Sequence, residues 1–544
     1  MNIETYLTLL SPELVLLVGA CVVLFSGTGR SAATASVAPT VTIFVIVLSL
    51  AATLRFRDFG AGEIIPGLLL TELTFYVRLI ALSVGLLLIL VNWCQPAAGE
   101  RGEYMAMVLF SLLGVLLTAS ANDLVVLFFA IELVSIPTYI LIALSRTDSR
   151  ASEATVKYFF LGALAAAVLA YGLSFLYGVA GTTTIYAVRD GVIESNMAFG
   201  AGMTPLAVIG LLLVFGGLAF KVAAVPFHVY APDVYEGAAS PVTGLLGFVP
   251  KLAGFVALVK IFGALDWELP SALMWMVWIV AAVTMTAGNT LALLQKNAKR
   301  MLAYSSIAHT GYMLIALLVG PLAGKGPMHD GVAALMFYIA VYGVMNLGAF
   351  ALLTIFKKDG RPVETLDDIA GLAAKAPLAG LALAICIFSL MGFPPTAGFL
   401  GKLYIFSSAF SLDAAHPFHS PLIVLAVIGV INSAVAAAYY LRIVSIAYTG
   451  GDGDGLVRSG GESVAWGLAL CSVLVLVLFV WPGGLVDQAR HTPAVLSGSV
   501  VAAGGSLTSS TTDDDLSLAS IALGSAPAPA EHLRANPQPG DPAD

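Results

Sequence analysis

Apolar runs of membrane-spanning length dominate this chain of 544 residues, and no other feature restricts its fold so severely. Inside a bilayer no water satisfies backbone amides, so a run of about 20 apolar residues must close its own hydrogen bonds as an α-helix. Counting such runs gives fourteen hydrophobic cores between residues 14 and 480, separated by short polar loops. The expected fold class is an all-α integral membrane protein with about fourteen transmembrane helices. Charge agrees, since 11% of residues are charged and 59% hydrophobic, against roughly 25% charged in an ordinary soluble domain. The first core, residues 14–25, follows Glu4 and Glu13 rather than a basic stretch, which reads as a retained helix and not a cleaved signal.

Several functions are excluded on the same reading. Cys21, Cys94, Cys386 and Cys471 are scattered without a CxxC pair, so neither zinc nor an iron–sulfur centre is expected in this chain. No GxGxxG or GxxxxGK[ST] motif supports dinucleotide binding or nucleotide-driven pumping. The net charge of -8 is spread over loops and tail, which leaves no case for a nucleic-acid partner.

Loop charge sets the expected orientation, because Lys and Arg are retained in the cytoplasm. One set of alternate loops carries Arg30, Arg101, Arg146, Arg150, Lys296, Lys299, Arg300, Lys357, Lys358, Arg361, Lys375 and Arg458. The other set carries only Arg55, Arg57, Arg189, Lys260 and Lys325. That bias puts both termini on the outer, periplasmic side. Beyond Pro482 the composition shifts to Ala, Gly, Ser, Thr, Asp and Pro, and residues 492–544 read as a disordered tail.

An ionisable residue in mid-helix costs about 2.5 to 3.5 kcal/mol on insertion scales, so each one requires a reason. Four stand out: Glu132, Lys221, Lys251 and Lys402. They are either buried ion pairs that fix packing or sites of charge movement. Lysine suits the second role because its pKa follows its surroundings, whereas arginine stays protonated. His228 and His309 can relay protons or act as structural donors, and Lys157 is a relay or an interface anchor. Glu72 and Arg78 read as boundary anchors.

Two helices carry breaks beside these lysines. Pro226 follows Lys221, and Gly392-Phe393-Pro394-Pro395 precedes Lys402. Proline frees a carbonyl, which is tolerated in the membrane only against protein or a hydrated cavity. The breaks fall five helices apart, in helices 7 and 12, and five is odd, so equivalent helices run in opposite directions. Paired interruptions of this kind point to an inverted repeat around a transport site. The expected organisation is helices 1–3 over residues 1–100, a repeat of helices 4–8 over 101–265, a second repeat of helices 9–13 over 270–448, and helix 14 over 460–484.

The segment around Glu132, the Glu153 to Gly162 run, Phe220 to Gly237, Lys299 to Met313, and Gly392 to Lys402 together resemble the antiporter-like subunits of respiratory complex I, the proton-pumping NADH-quinone oxidoreductase. The similarity covers most of residues 104–446. Within that family, lysine on helices 7, 8 and 12 and the absence of a lateral helix are similar to the N type. The tail lies outside the resemblance.

The resemblance implies a role that composition does not show. Electrons would pass from NADH through FMN and iron–sulfur clusters to quinone in other subunits, with no cofactor in this chain. This chain would conduct protons across a bacterial inner membrane beside neighbouring membrane-arm subunits. Glu132 and Lys221 would form a modulating pair, Lys251 would receive the proton, and Lys402 would pass it to the exit. Lys157 and His228 are then candidate links to the cytoplasm, and His309 a candidate link between the two halves. The competing readings are a large subunit of an Mrp-type cation/proton antiporter or of an energy-converting hydrogenase.

Overall fold

Loop residues start and stop the helices that the apolar runs form. Asp123, Asp148, Thr204, Asn297 and Asp330 each precede a helix and accept hydrogen bonds from backbone N–H groups of its first turn. Gly181 and Gly392 end helices in the left-handed conformation that glycine adopts without steric cost. The computed structural model describes residues 3–27, 32–57, 62–95, 100–199, 203–322 and 325–495.

Helices α1 (Ile3–Leu9), α2 (Ser11–Gly27) and α3 (Ala32–Arg55) lead into a hairpin of β1 (Gly62–Ile65) and β2 (Leu68–Leu70). There follow α4 (Glu72–Asn92), α5 (Arg101–Ser120), α6 (Leu124–Ser145), α7 (Ser149–Ala180) and the short α8 (Val188–Phe199). Next come α9 (Pro205–Lys221), α10 (Ala231–Gly237), α11 (Ser240–Gly263), α12 (Ser271–Leu293), α13 (Ala298–Val319) and α14 (Gly331–Ile355). After β3 (Phe356–Lys358) and β4 (Arg361–Pro362) the chain forms α15 (Leu372–Lys375), α16 (Pro377–Met391), α17 (Ala397–Ser408) and α18 (His419–Thr449). Finally β5 (Leu456–Arg458) completes a small sheet with β3 and β4, before α19 (Glu462–Val480) and α20 (Gly483–His491).

Eleven helices among the described residues are long and apolar enough to cross a membrane, and α2, α9 and α16 are shorter apolar helices. Helices α11 and α14 are wholly enclosed by the others, whereas α3, α7 and α18 turn much of their surface outward. Alternate loops gather on two faces. On the first face Arg146 meets Glu364 at 2.5 Å, Lys299 meets Glu364 at 3.0 Å, and Asn297 bridges to Thr365. On the opposite face Ala121 bridges to Leu68, Asp123 to Thr184, and Ser407 donates to the Met328 carbonyl at 2.9 Å. Helices joined in this way run alternately up and down, as spanning helices must.

Four features depart from the sequence reading. The five short strands were not foreseen; each has at most four residues, too few for an alternating pattern to stand out. Lys260, counted among loop bases, is fully buried in α11, where Nζ donates to the Ala121 carbonyl at 2.8 Å. That carbonyl caps the negative end of α5, a favourable place for an ammonium. Arg78 is no boundary anchor, because it forms a buried bidentate pair with Glu13 of α2, both bonds 2.8 Å. Order also extends past the expected start of the tail, since Thr492–Val495 form a 3-10 turn in which Thr492 is buried. The tail from residue 496 lies outside the described residues.

Candidate functional site

Both expected breaks are present, and each holds a lysine at its edge. Lys221 is the last residue of α9. Its Nζ donates to Glu132 Oε1 and to Ser135 Oγ, both at 2.8 Å, so two side chains one turn apart on α6 share the ammonium. The lysine is buried and the glutamate nearly so. Past Lys221 the backbone leaves the helix, and neighbours take up part of what it frees. Thr310 of α13 donates to the Val222 carbonyl at 2.6 Å, Tyr230 to the Phe220 carbonyl at 2.9 Å, and Val225 N–H donates to Thr284 at 2.9 Å.

Lys251 stands in the middle of α11 and donates to the carbonyl and hydroxyl of Ser306 at 2.6 and 2.9 Å. Its ammonium also lies 4.7 Å from the Tyr342 ring centroid, a cation–π distance. A cavity of about 10 Å³ touches both Lys221 and Lys251 and is walled by Tyr158, Tyr230 and Tyr235. It is about the size that admits one water.

Lys402 lies one turn into α17, beyond the second break. It donates to the Met391 carbonyl, freed at the end of α16, at 2.8 Å and to Ser433 at 2.9 Å. The Tyr312 ring centroid is 4.9 Å from its Nζ. Between Lys251 and Lys402, on α13, sits His309, with Nδ1 2.5 Å from the Tyr338 hydroxyl and Nε2 3.0 Å from the Tyr440 hydroxyl. Tyr440 in turn hydrogen-bonds Ser305. Thus Glu132, Lys221, Lys251, His309 and Lys402 all face one buried polar interior.

Lys157 belongs to a different place. It pairs with Glu153 at 2.7 Å and with Asp233 of α10 at 2.8 Å, on the first face. Arg300 adds bonds to Asp233 at 2.7 Å and Glu236 at 2.9 Å, and Lys299 donates to the Glu236 and Ala238 carbonyls. Burial alone would raise the Asp233 pKa; the hydrogen bonds from Lys157 and Arg300 outweigh it and hold the carboxyl below the usual range. Glu364 behaves likewise, with burial opposed by Lys299 and Arg146. A cavity of about 260 Å³ opens beside Lys157, Asp233 and Glu236. His228 lies in the break, half-buried, with Nδ1 unpartnered among the described residues. No hydrogen bond among the described residues joins it to Lys157 or Lys221.

Chemically, the interior offers a row of groups that carry exchangeable protons, separated by short gaps. Among the described residues no group of three or more His, Cys, Asp or Glu side chains is placed to hold a metal.

Residues 121–433 match the family model described as NADH:quinone oxidoreductase/Mrp antiporter, TM. The chain belongs to this family. Two relatives of the NADH:quinone oxidoreductase/Mrp antiporter family illustrate the likeness. The NADH-quinone oxidoreductase subunit N 1 of Solibacter usitatus is 38% identical over 463 residues, 84% of this chain and 90% of that protein. The subunit N of Rhodospirillum rubrum is 34% identical over 494 residues, 89% and 96% of the two chains. Among solved structures, a chain of respiratory complex I from Thermus thermophilus with bound aureothin is similar at 30% identity and a TM-score of 0.71, covering 90% of this chain and 99% of that one. A chain of the Mrp complex from Dietzia sp. shares the fold with a TM-score of 0.77 at 21% identity, covering 92% and 99%.

The sequence reading of this family member missed the neutral partners. Ser306, Ser433, Tyr342 and Tyr312 surround the buried lysines, and Tyr338 and Tyr440 hold His309, yet serine and tyrosine are common in apolar helices and carry no charge signal. Asp233 and Glu236 were not singled out either, because the bases that pair with them come from α7 and α13, far away in sequence.

Proposed function

We propose that this chain is an antiporter-like, N-type membrane-arm subunit of an NADH-quinone oxidoreductase, and that it moves protons across the membrane. The contact between Lys221 and Glu132, in line with buried Lys251 and Lys402, carries this reading. NADH oxidation at FMN, electron passage through iron–sulfur clusters and quinone reduction take place in other subunits of the complex. The spans number fourteen, arranged as two inverted repeats, α5–α11 and α12–α18; the paired breaks and the alternation of loops between two faces support this. The first face, rich in Arg and Lys, lies toward the cytoplasm of a bacterial cell, with both termini outside.

The proposed cycle is electrostatic. With Glu132 at 2.8 Å, Lys221 keeps its proton. When a charge in a neighbouring subunit draws Glu132 away, the proton moves through the small cavity to Lys251. An opposite charge within about 4 to 6 Å shifts a pKa by about 1 to 3 units, enough to drive the transfer. Protons reach this pair from the first face by way of Lys157, with His228 as a second link, and cross by His309 to Lys402, which releases them outward.

Replacing Lys221 or Lys251 by alanine should cut proton pumping and coupled quinone reduction while sparing electron transfer from NADH to an artificial acceptor. Unchanged pumping in both variants sinks the assignment. Copurification with flavin and iron–sulfur subunits separates this reading from an Mrp-type antiporter or a hydrogenase subunit.

A further inference from the structure

Neither lysine touches His309. Lys251 is held by Ser306, and Lys402 by Met391 and Ser433. Both ring nitrogens of His309 are occupied by phenol hydroxyls from two other helices, Tyr338 on α14 and Tyr440 on α18, and all three side chains are buried. Tyr440 continues the chain to Ser305, which directly precedes the Ser306 that holds Lys251. At the far end, Tyr338 packs against Gly401, the residue before Lys402, so tightly that a methyl group at Gly401 would lie 2.2 Å from the ring.

We propose that Ser305, Tyr440, His309 and Tyr338 form the proton wire between the two halves, with the tyrosine hydroxyls as obligatory relays rather than as supports for the imidazole. The inference rests on the proton-conducting reading above and adds its path.

The protons balance along this path. In the starting arrangement neutral His309 carries its proton on Nδ1 and donates it to the Tyr338 oxygen, while Nε2 accepts from Tyr440. A proton arriving from the Lys251 side enters Ser305, and Ser305 passes its own to Tyr440. Tyr440 passes its own to Nε2, Nδ1 releases its proton to Tyr338, and the Tyr338 hydroxyl proton leaves toward Lys402. Every oxygen ends with the number of protons it began with, and His309 ends as the other tautomer. The hydroxyls and the imidazole must then reset before a second proton follows. The steps not bridged here, from Ser306 to Ser305 and from Tyr338 to Lys402, fall where lysine arms can swing, so the wire is interrupted at its ends and continuous in its middle.

Phenylalanine at position 440 or 338 keeps the ring and deletes the relay. In the assembled complex in its native membrane, Tyr440→Phe and Tyr338→Phe should each lower proton pumping by about a hundredfold, the low end of the range for a lost proton-transfer group. The residual pumping should show a larger solvent deuterium isotope effect than the wild type. Electron transfer from NADH to an artificial acceptor reports assembly. Tyr104→Phe, which loses a buried hydroxyl bonded to Asn92 between α4 and α5, helices that contribute nothing to the wire, controls for a packing effect and should pump normally. Normal pumping in Tyr440→Phe and Tyr338→Phe, alongside failure of Lys251→Ala and Lys402→Ala, overturns the wire and leaves the lysine path standing. Normal pumping in the lysine variants instead overturns the proton-conducting reading itself. If Tyr104→Phe loses pumping as much as the wire variants do, the relay role is likewise rejected.

Discussion

Lys221 stands just before the break of its helix and Lys402 just after the break of the other, yet only Lys221 faces a carboxylate. Lys402 has a carbonyl, a serine hydroxyl and a tyrosine ring instead. In the first half, charge and countercharge sit together as a pair, and the proposed cycle turns on separating them. In the second half, neutral dipoles hold the ammonium, and no carboxylate among the described residues forms an ion pair with it. On the proposed cycle, this contrast makes the first half the one that is switched and the second the one that hands a proton on.

The harshest test of that contrast replaces Lys402 by arginine, which keeps the charge and a donor for Met391 but does not release a proton. Pumping, followed by dye quenching in vesicles, should fall by about a hundredfold; normal pumping would show that Lys402 serves only as a fixed charge. Stability distinguishes the halves next. Glu132→Ala leaves Lys221 buried with Ser135 alone and should cost about 3 kcal/mol, the low end for breaking a buried pair. Ser433→Ala should cost about 1 kcal/mol, the loss of one hydrogen bond. Thermal unfolding of the purified complex compares them, and equal losses would erase the distinction. Thr310→Val, which strips the Val222 carbonyl of its donor, should also cost about 1 kcal/mol, seen as faster hydrogen exchange around residues 222–225.

The smallest effects separate the two faces by pH. Asp233, held below the usual carboxylate range, contributes stability at neutral pH that is lost only as pH falls through its lowered value. Exchange at α10 should therefore stay slow down to about pH 4 and rise below it. Asp330 behaves oppositely: burial pushes its carboxyl up to about 6, although the N–H groups of Ala333 and Leu322 favour the anion. Its folded form holds the proton longer, so local stability is lost as pH rises from about 4 toward 6. Asp330→Asn should flatten that slope in exchange measured at the start of α14. A rise of exchange in acid there would contradict the sign.

The helical class, both breaks and the four charges set in apolar helices were legible because charge and proline stand out against an apolar background. Lys221 and Glu132 are 89 residues apart, and nothing local foretold that they touch. Lys260 was misplaced because a lysine near a helix end looks the same in sequence whether it reaches for water or for a carbonyl of another helix. Arg78 was misread for the same reason, since its partner Glu13 lies 65 residues away, just ahead of the first hydrophobic core. The hydroxyls of the central path escaped notice because a buried tyrosine in sequence is indistinguishable from one that fills space.

The two breaks have a consequence for the sides of the bundle. Phe227 and Val229 at the first, and Phe393 with Pro394 and Pro395 at the second, lie on the outer surface of the bundle. Unwound backbone is not stable against lipid. The isolated chain therefore presents two irregular patches on its sides, each of which a covering protein surface would shield from lipid.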